Sequence, residues 1–130
     1  MTAPKANSAT TPTTPDEHGS QDGMTLAELG RWADRQGMLL AEKFNLGDSE
    51  QDRAFFLLAA AAKLGEEAGE LHREVLGSIR HQRAEKLEQF TLQSAADEIA
   101  DVIICAAILA ARMGVDVESA VRDKVARVSL

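Results

Sequence analysis

All three prolines of this chain, Pro4, Pro12 and Pro15, lie in its first fifteen residues. Proline is the residue that most firmly stops a helix, so from Asp16 to the end nothing forbids helical structure. The apolar residues beyond that point recur at three- and four-residue steps, and no strand of length can be read. The expectation is an all-α fold of four helices, a four-helix bundle-like domain. At 130 residues, 45% of them hydrophobic, the chain suffices for one core and has no room for two.

Residues 1–23 are rich in Thr, Pro, Ser and Gly with almost no large apolar side chain, and read as a disordered tail ahead of a domain spanning 24–130. Thr25 followed by Glu28 is a capping box, and a first helix is expected from Leu26 to Lys43. Gly47, Asp48 and Ser49 break it and cap a second helix running from Glu50 to Leu76, with Gly77 as its stop. The segment 78–92 has irregular apolar spacing and reads as a short helix within a mobile connection. Ser94 and Asp97 resemble the start of a third helix. It continues to Met113, is apolar nearly all round, and is expected at the centre of the bundle. Gly114 ends it, and Asp116 caps a fourth helix carrying Val117, Ala120, Val121, Val125 and Val128.

The net charge of −7 disfavours a general electrostatic surface for nucleic acid, which needs excess Lys and Arg. The longest charge-free apolar run, Val102 to Ala111, is about half of a bilayer span, and the N-terminus has no signal-type stretch. The single cysteine, Cys105, excludes an internal disulfide. A cytoplasmic protein with no membrane or nucleic-acid partner is expected.

The chemistry concentrates in Lys63-Leu64-Gly65-Glu66-Glu67-Ala68-Gly69-Glu70-Leu71. Glu66, Glu67 and Glu70 share one helical face, while Leu57, Ala61, Leu64, Ala68, Leu71 and Val75 lie opposite as the core face. A second acidic pair, Glu98 and Asp101, interrupts the apolar third helix, on a stripe with Ser94, Cys105, Ile108 and Arg112. Alone, the first group reads as a solvated face, and Lys63 to Glu67 as an ordinary surface pair. The second pair is harder to leave unexplained. If the two faces meet, the carboxylates repel unless a cation lies between them. An all-oxygen set suits Mg²⁺ or Mn²⁺. No histidine follows a glutamate by three residues, against a di-iron site. Magnesium on a few carboxylates recruits substrate phosphates, so phosphoryl or nucleotidyl hydrolysis is the expected chemistry. Cys105 reads as a small core residue and Trp32 likewise.

Lys63 to Leu71, followed by Asp97-Glu98-Ile99-Ala100-Asp101-Val102-Ile103, resembles the E-x-x-E plus E-x-x-D signature of MazG-like all-α nucleoside triphosphate pyrophosphohydrolases. The likeness extends through Ala110-Ala111-Arg112, Val115-Asp116, Ala120-Val121 and Lys124, in a pattern similar to the dCTP pyrophosphatase branch. That resemblance implies Glu67, Glu70, Glu98 and Asp101 as magnesium ligands. It implies Glu66 as a further ligand, an outer supporting group or the residue that orients the attacking water, and Lys124, with Lys63 and Arg112, as substrate-binding cations. The implied reaction converts a (deoxy)nucleoside triphosphate to its monophosphate and pyrophosphate, in a homodimer or homotetramer. The chain departs from the pattern after Lys124, where Val125-Ala126-Arg127-Val128 replaces the usual Asn and basic or aromatic tail. Two other readings remain open: a non-catalytic helical module that senses nucleotides, and hydrolysis of phosphoribosyl-ATP.

Overall fold

The structure, a computed structural model, describes residues 23–79 and 92–129. They form four helices: α1 (Leu26–Lys43), α2 (Glu50–Ile79), α3 (Leu92–Arg112) and α4 (Val117–Val128). The described residues contain no strand, as the proline-free sequence leads one to expect. The expected tail lies almost wholly outside the described residues, as do 80–91 of the expected connection.

The helix ends follow local chemistry. The backbone N–H of Glu28 donates to Thr25 Oγ1 at 3.2 Å and that of Thr25 to Glu28 Oε2 at 2.7 Å, completing the capping box. These bonds to Thr25 hold the Glu28 carboxyl below its ordinary range. Asn45, in the left-handed region at φ 53°, closes α1, with Leu46 N–H reaching back to the Ala41 carbonyl at 2.8 Å. Asp52 N–H donates to Ser49 Oγ at 3.0 Å, and Asp52 Oδ2 accepts from Gly47 N–H at 3.1 Å, which ties the α1–α2 turn to the first turn of α2. Gly114, at φ 72°, ends α3 in the same way as Asn45 ends α1, and Asp116 Oδ1 accepts from Ser119 N–H at 2.8 Å to start α4.

Two boundaries differ from expectation. Gly77 does not stop α2, which continues to Ile79; a glycine ends a helix by turning left-handed, and Gly77 does not adopt a positive φ. Ser94 does not cap α3, which already begins at Leu92. Its hydroxyl instead donates to Glu74 Oε2 across the α2–α3 interface at 2.8 Å.

α3 is the hub. α1 and α2 pack against it, and α4 lies against α1 and α3. α2 and α3 run antiparallel, as three meetings along their length show: Glu74 with Ser94, Glu67 with Glu98 and Asp101, and Phe56 with Arg112. The expectation that α3 is buried on all sides holds only in part. It is central, yet Ile99 and Ile103 are about half exposed. Among the described residues the buried apolar side chains are Ala33, Ala41, Phe56 and Ala107, of which only Phe56 is large.

The core face of α2 also differs from the sequence reading. Leu57, Leu64, Ala68 and Leu71 are half-buried, but Ala61 and Val75 are exposed, and Glu67 is buried at 6% accessibility. The apolar stripe was placed too far around the helix. Phe56 and Glu67 lie at the centre of the face toward α3, so Glu67 shares the buried face rather than opposing it, while Glu66 stays exposed.

α1 approaches α3 closely at Gly37, where a Cβ would stand 2.9 Å from Arg112 Cδ. Gly37→Ala gains about 1 kcal/mol of helix propensity, yet it displaces a packed side chain at a cost of about 1–3 kcal/mol. A net loss of stability is expected, read as a lower midpoint in thermal unfolding followed by circular dichroism.

Candidate metal centre

Two antiparallel helices build the acidic site, one turn of each supplying its carboxylates. On α2, Glu67 points at α3; on α3, Glu98 and Asp101 are one turn apart and point back. One carboxylate oxygen from each of the three lies within 4.8 Å of the others. The two acidic faces singled out from sequence therefore meet.

Glu98 carries the decisive feature. Its Oε2 is buried and has no hydrogen-bond partner among the described residues. Burial first, then the charges of Glu70, Glu67, Asp101 and Glu74, push the Glu98 carboxyl above its ordinary range. A buried carboxylate oxygen without a donor is costly in a protein that has only its own side chains to offer. The oxygen-only donor set, the mutual approach of three carboxylates and this orphaned atom together fit a hard divalent cation.

The other candidates are placed as follows. Glu70 stands near enough for its charge to act on Glu98, but it lies outside the group of three and pairs with Arg73 at 3.5 Å. Glu66 is exposed and is held by Lys63 Nζ at 3.2 Å, at the rim of the cluster. Lys63 Nζ also reaches Glu67 Oε1 at 2.6 Å. Those two hydrogen bonds, Glu67 first, raise the Lys63 ammonium well above its usual value, so it stays charged at neutral pH. Lys63 is thus an anchor for the buried Glu67, a tighter role than an ordinary surface pair.

Arg112 is far from the acids. It lies eleven positions beyond Asp101, about 16 Å along α3, with its guanidinium 4.7 Å from the centroid of the Phe56 ring. Its place is in the packing between α1, α2 and α3. Lys124 sits on α4, which packs against α1 and α3, and makes no ion pair among the described residues. Within one protomer neither cation joins the cluster. Glu74 was not singled out from the sequence. It follows Glu70 by one turn, adds to the charge on Glu98 and accepts from Ser94. The four-residue step from Glu70 was the available signal.

Beside the acids lies an apolar cavity of about 580 Å³, whose lining includes Leu40, Phe44, Phe55, Phe56, Lys63 and Cys105. Lys63 and Cys105 connect it to the cluster, being one turn from Glu67 and Asp101 respectively. Burial, and next the charge of Glu67, push the Cys105 thiol up, so it is a neutral wall residue and not a nucleophile.

No protein-family model matches the chain, and neither a curated protein nor a solved structure matches it. No helix among the described residues is long and apolar enough to cross a membrane.

Proposed function

We propose that this chain is a MazG-like, Mg²⁺-dependent (deoxy)nucleoside triphosphate pyrophosphohydrolase, with Mn²⁺ as a substitute metal, acting as a homodimer or homotetramer. The observation that carries the reading is the trio Glu67, Glu98 and Asp101 with its unpartnered buried oxygen. Glu67, Glu98 and Asp101 would hold the cation, with Glu70 as the next carboxylate available. A divalent ion bound there supplies charge neutralisation for the carboxylates and a Lewis acid for phosphate oxygens.

The remaining parts of the chain have separable tasks. Lys63 fixes Glu67 in the direction of α3 and presents a permanent positive charge between the acids and the cavity, where a triphosphate would lie. The cavity is of the size that accepts a small organic group, and its apolar walls suit the base of a nucleotide. Glu66, exposed at the rim and held on one side by Lys63, is the carboxylate that would accept a proton from water. In the reaction a water oxygen bonds to the α-phosphorus, the bridging bond from that phosphorus to the β-phosphate oxygen breaks, pyrophosphate departs, and the proton passes to Glu66.

A panel of canonical and modified nucleotides with Mg²⁺ or Mn²⁺, read as pyrophosphate release, tests the proposal. Turnover of at least one nucleotide is expected, and release from none of them would end the enzymatic reading. Calorimetric binding without product would favour the nucleotide-sensing module instead. Glu67→Gln and Asp101→Asn each remove a ligand charge at nearly constant shape. Each is expected to lower turnover by on the order of 100-fold or more with helical content unchanged. Circular dichroism and initial rates check both halves.

A further inference from the structure

Among the described residues, one long face of α2 has no partner. Phe55, Leu58, Ala62, Gly65, Gly69, His72, Leu76 and Ile79 follow one another at alternating three- and four-residue steps, the spacing of a helix–helix seam. Most of them lie on the side of α2 turned away from α3, with Gly65 and Gly69 about 160° around the helix from Glu67; Phe55, at the edge of the seam, also borders the cavity. The large members are open to solvent, with Phe55 59%, Leu58 71%, Leu76 53% and Ile79 68% exposed.

The glycines say what kind of partner is needed. A Cβ at Gly65 or at Gly69 would meet nothing within 4 Å, so no neighbour among the described residues requires either of them. Each costs α2 about 1 kcal/mol relative to alanine. Two such residues one turn apart, flanked by Ala62, allow another backbone to approach closely at the middle of the helix. The seam is also matched in size about its centre at position 67. Reversing its direction sets Phe55 against Ile79, Leu58 against Leu76, Ala62 against His72 and Gly65 against Gly69. Large apolar residues meet at both ends and glycine meets glycine at the centre, with Ala62 leaving room for His72 between them, and a two-fold axis through the centre repeats each contact.

We infer that α2 pairs antiparallel with α2 of a second copy of this chain, crossing at Gly65 and Gly69. The area agrees. Phe55, Leu58, Leu76 and Ile79 expose roughly 500 Å² of mostly apolar surface, and Ala62, His72 and the two glycines add the rest, against about 800 Å² per partner in a stable interface. The pairing also supplies apolar burial that a protomer with one large core side chain lacks. The inference rests on the self-association proposed above and names the surface that makes it. The metal clusters of the two copies then lie on opposite sides of the α2 pair, each facing its own α3.

Engineered disulfides test both the face and its direction, in a Cys105→Ala background that removes the native thiol. The double variant Ala62→Cys with His72→Cys is expected to form a covalent dimer on mild oxidation. The two new thiols are about 15 Å apart along one helix, too far to bond within a protomer. The Ala62→Cys and His72→Cys single variants are expected to stay uncrosslinked, because in the antiparallel register neither position meets itself. Light scattering of the unmodified protein gives the second arm. A mass near the 14.0 kDa protomer would overturn self-association altogether. An oligomer in which the double variant fails to crosslink, or the single variants crosslink as well as the double, would overturn this face and register while leaving the catalytic proposal standing.

Discussion

Glu98→Gln is expected to stabilise the metal-free protein while destroying its response to metal. In the wild-type chain an ionised Glu98 places a charge on a buried oxygen that has no donor, facing Glu67, Glu70, Asp101 and Glu74. The amide removes that charge at almost the same volume. Thermal unfolding in EDTA should therefore show a higher midpoint for the variant. Added Mg²⁺ should raise the wild-type midpoint and leave that of the variant nearly still, because ligand-linked stabilisation requires the ligand to bind. Turnover should fall by on the order of 100-fold or more. The same group sets a pH dependence. Its folded-state pKa is raised, so its contribution to stability is full below the ordinary carboxylate value and is lost as pH rises through the folded-state value. Wild-type protein in EDTA is thus expected to gain stability from this group as neutral solution is made mildly acidic, and Glu98→Gln should remove that slope. A variant less stable than wild type in EDTA would mean that the Glu98 carboxylate is satisfied without a cation.

Phe56→Ala is expected to unfold the domain or bring it close to unfolding. Phe56 is the one large buried apolar side chain among the described residues. Truncating a buried phenylalanine costs about 3–5 kcal/mol, against a total of about 5–15 kcal/mol for a natural domain. The ring is also the surface on which Arg112 rests, so the change loosens the point where α1, α2 and α3 converge. Phe56→Leu separates the two effects. It keeps most of the volume, and its loss should be smaller, combining imperfect packing with the guanidinium–ring contact. Denaturant unfolding of Phe56→Leu, Arg112→Met and the double variant forms a cycle that isolates this coupling. The Arg112→Met change should lower stability and leave KM near its wild-type value, in line with the place of Arg112 about 16 Å along α3 from Asp101. A rise in KM without loss of stability would return Arg112 to the substrate.

The proposed α2 seam alters how the small core is understood. Four buried apolar residues and a buried glutamate are a thin interior for the described residues. The exposed stripe from Phe55 to Ile79 is apolar surface that the described residues leave uncovered, and in the proposed pair it becomes interior. The metal cluster then lies one helix diameter from the two-fold axis.

What could be read from the sequence was what depends on neighbours along the chain. The absence of proline after Pro15, the capping box of Thr25 and Glu28, the turn at Gly114 and the cap at Asp116 are local effects, and each sits where the local rules put it. The two acidic pairs were legible for the same reason, since three-residue spacing alone aligns Glu67 with Glu70 and Glu98 with Asp101. Packing decided the rest. Only the antiparallel register of α2 on α3 determines that Glu67, Glu98 and Asp101 converge while Glu70 turns to Arg73 and Glu66 stays at the rim. That register also turned Ser94 from an expected cap into a partner of Glu74, and sent Arg112 to Phe56 rather than to the acids. A helix presents several faces at once, and its own sequence does not say which of them a neighbour will choose; the choice belongs to shapes and charges that meet only after the chain has folded.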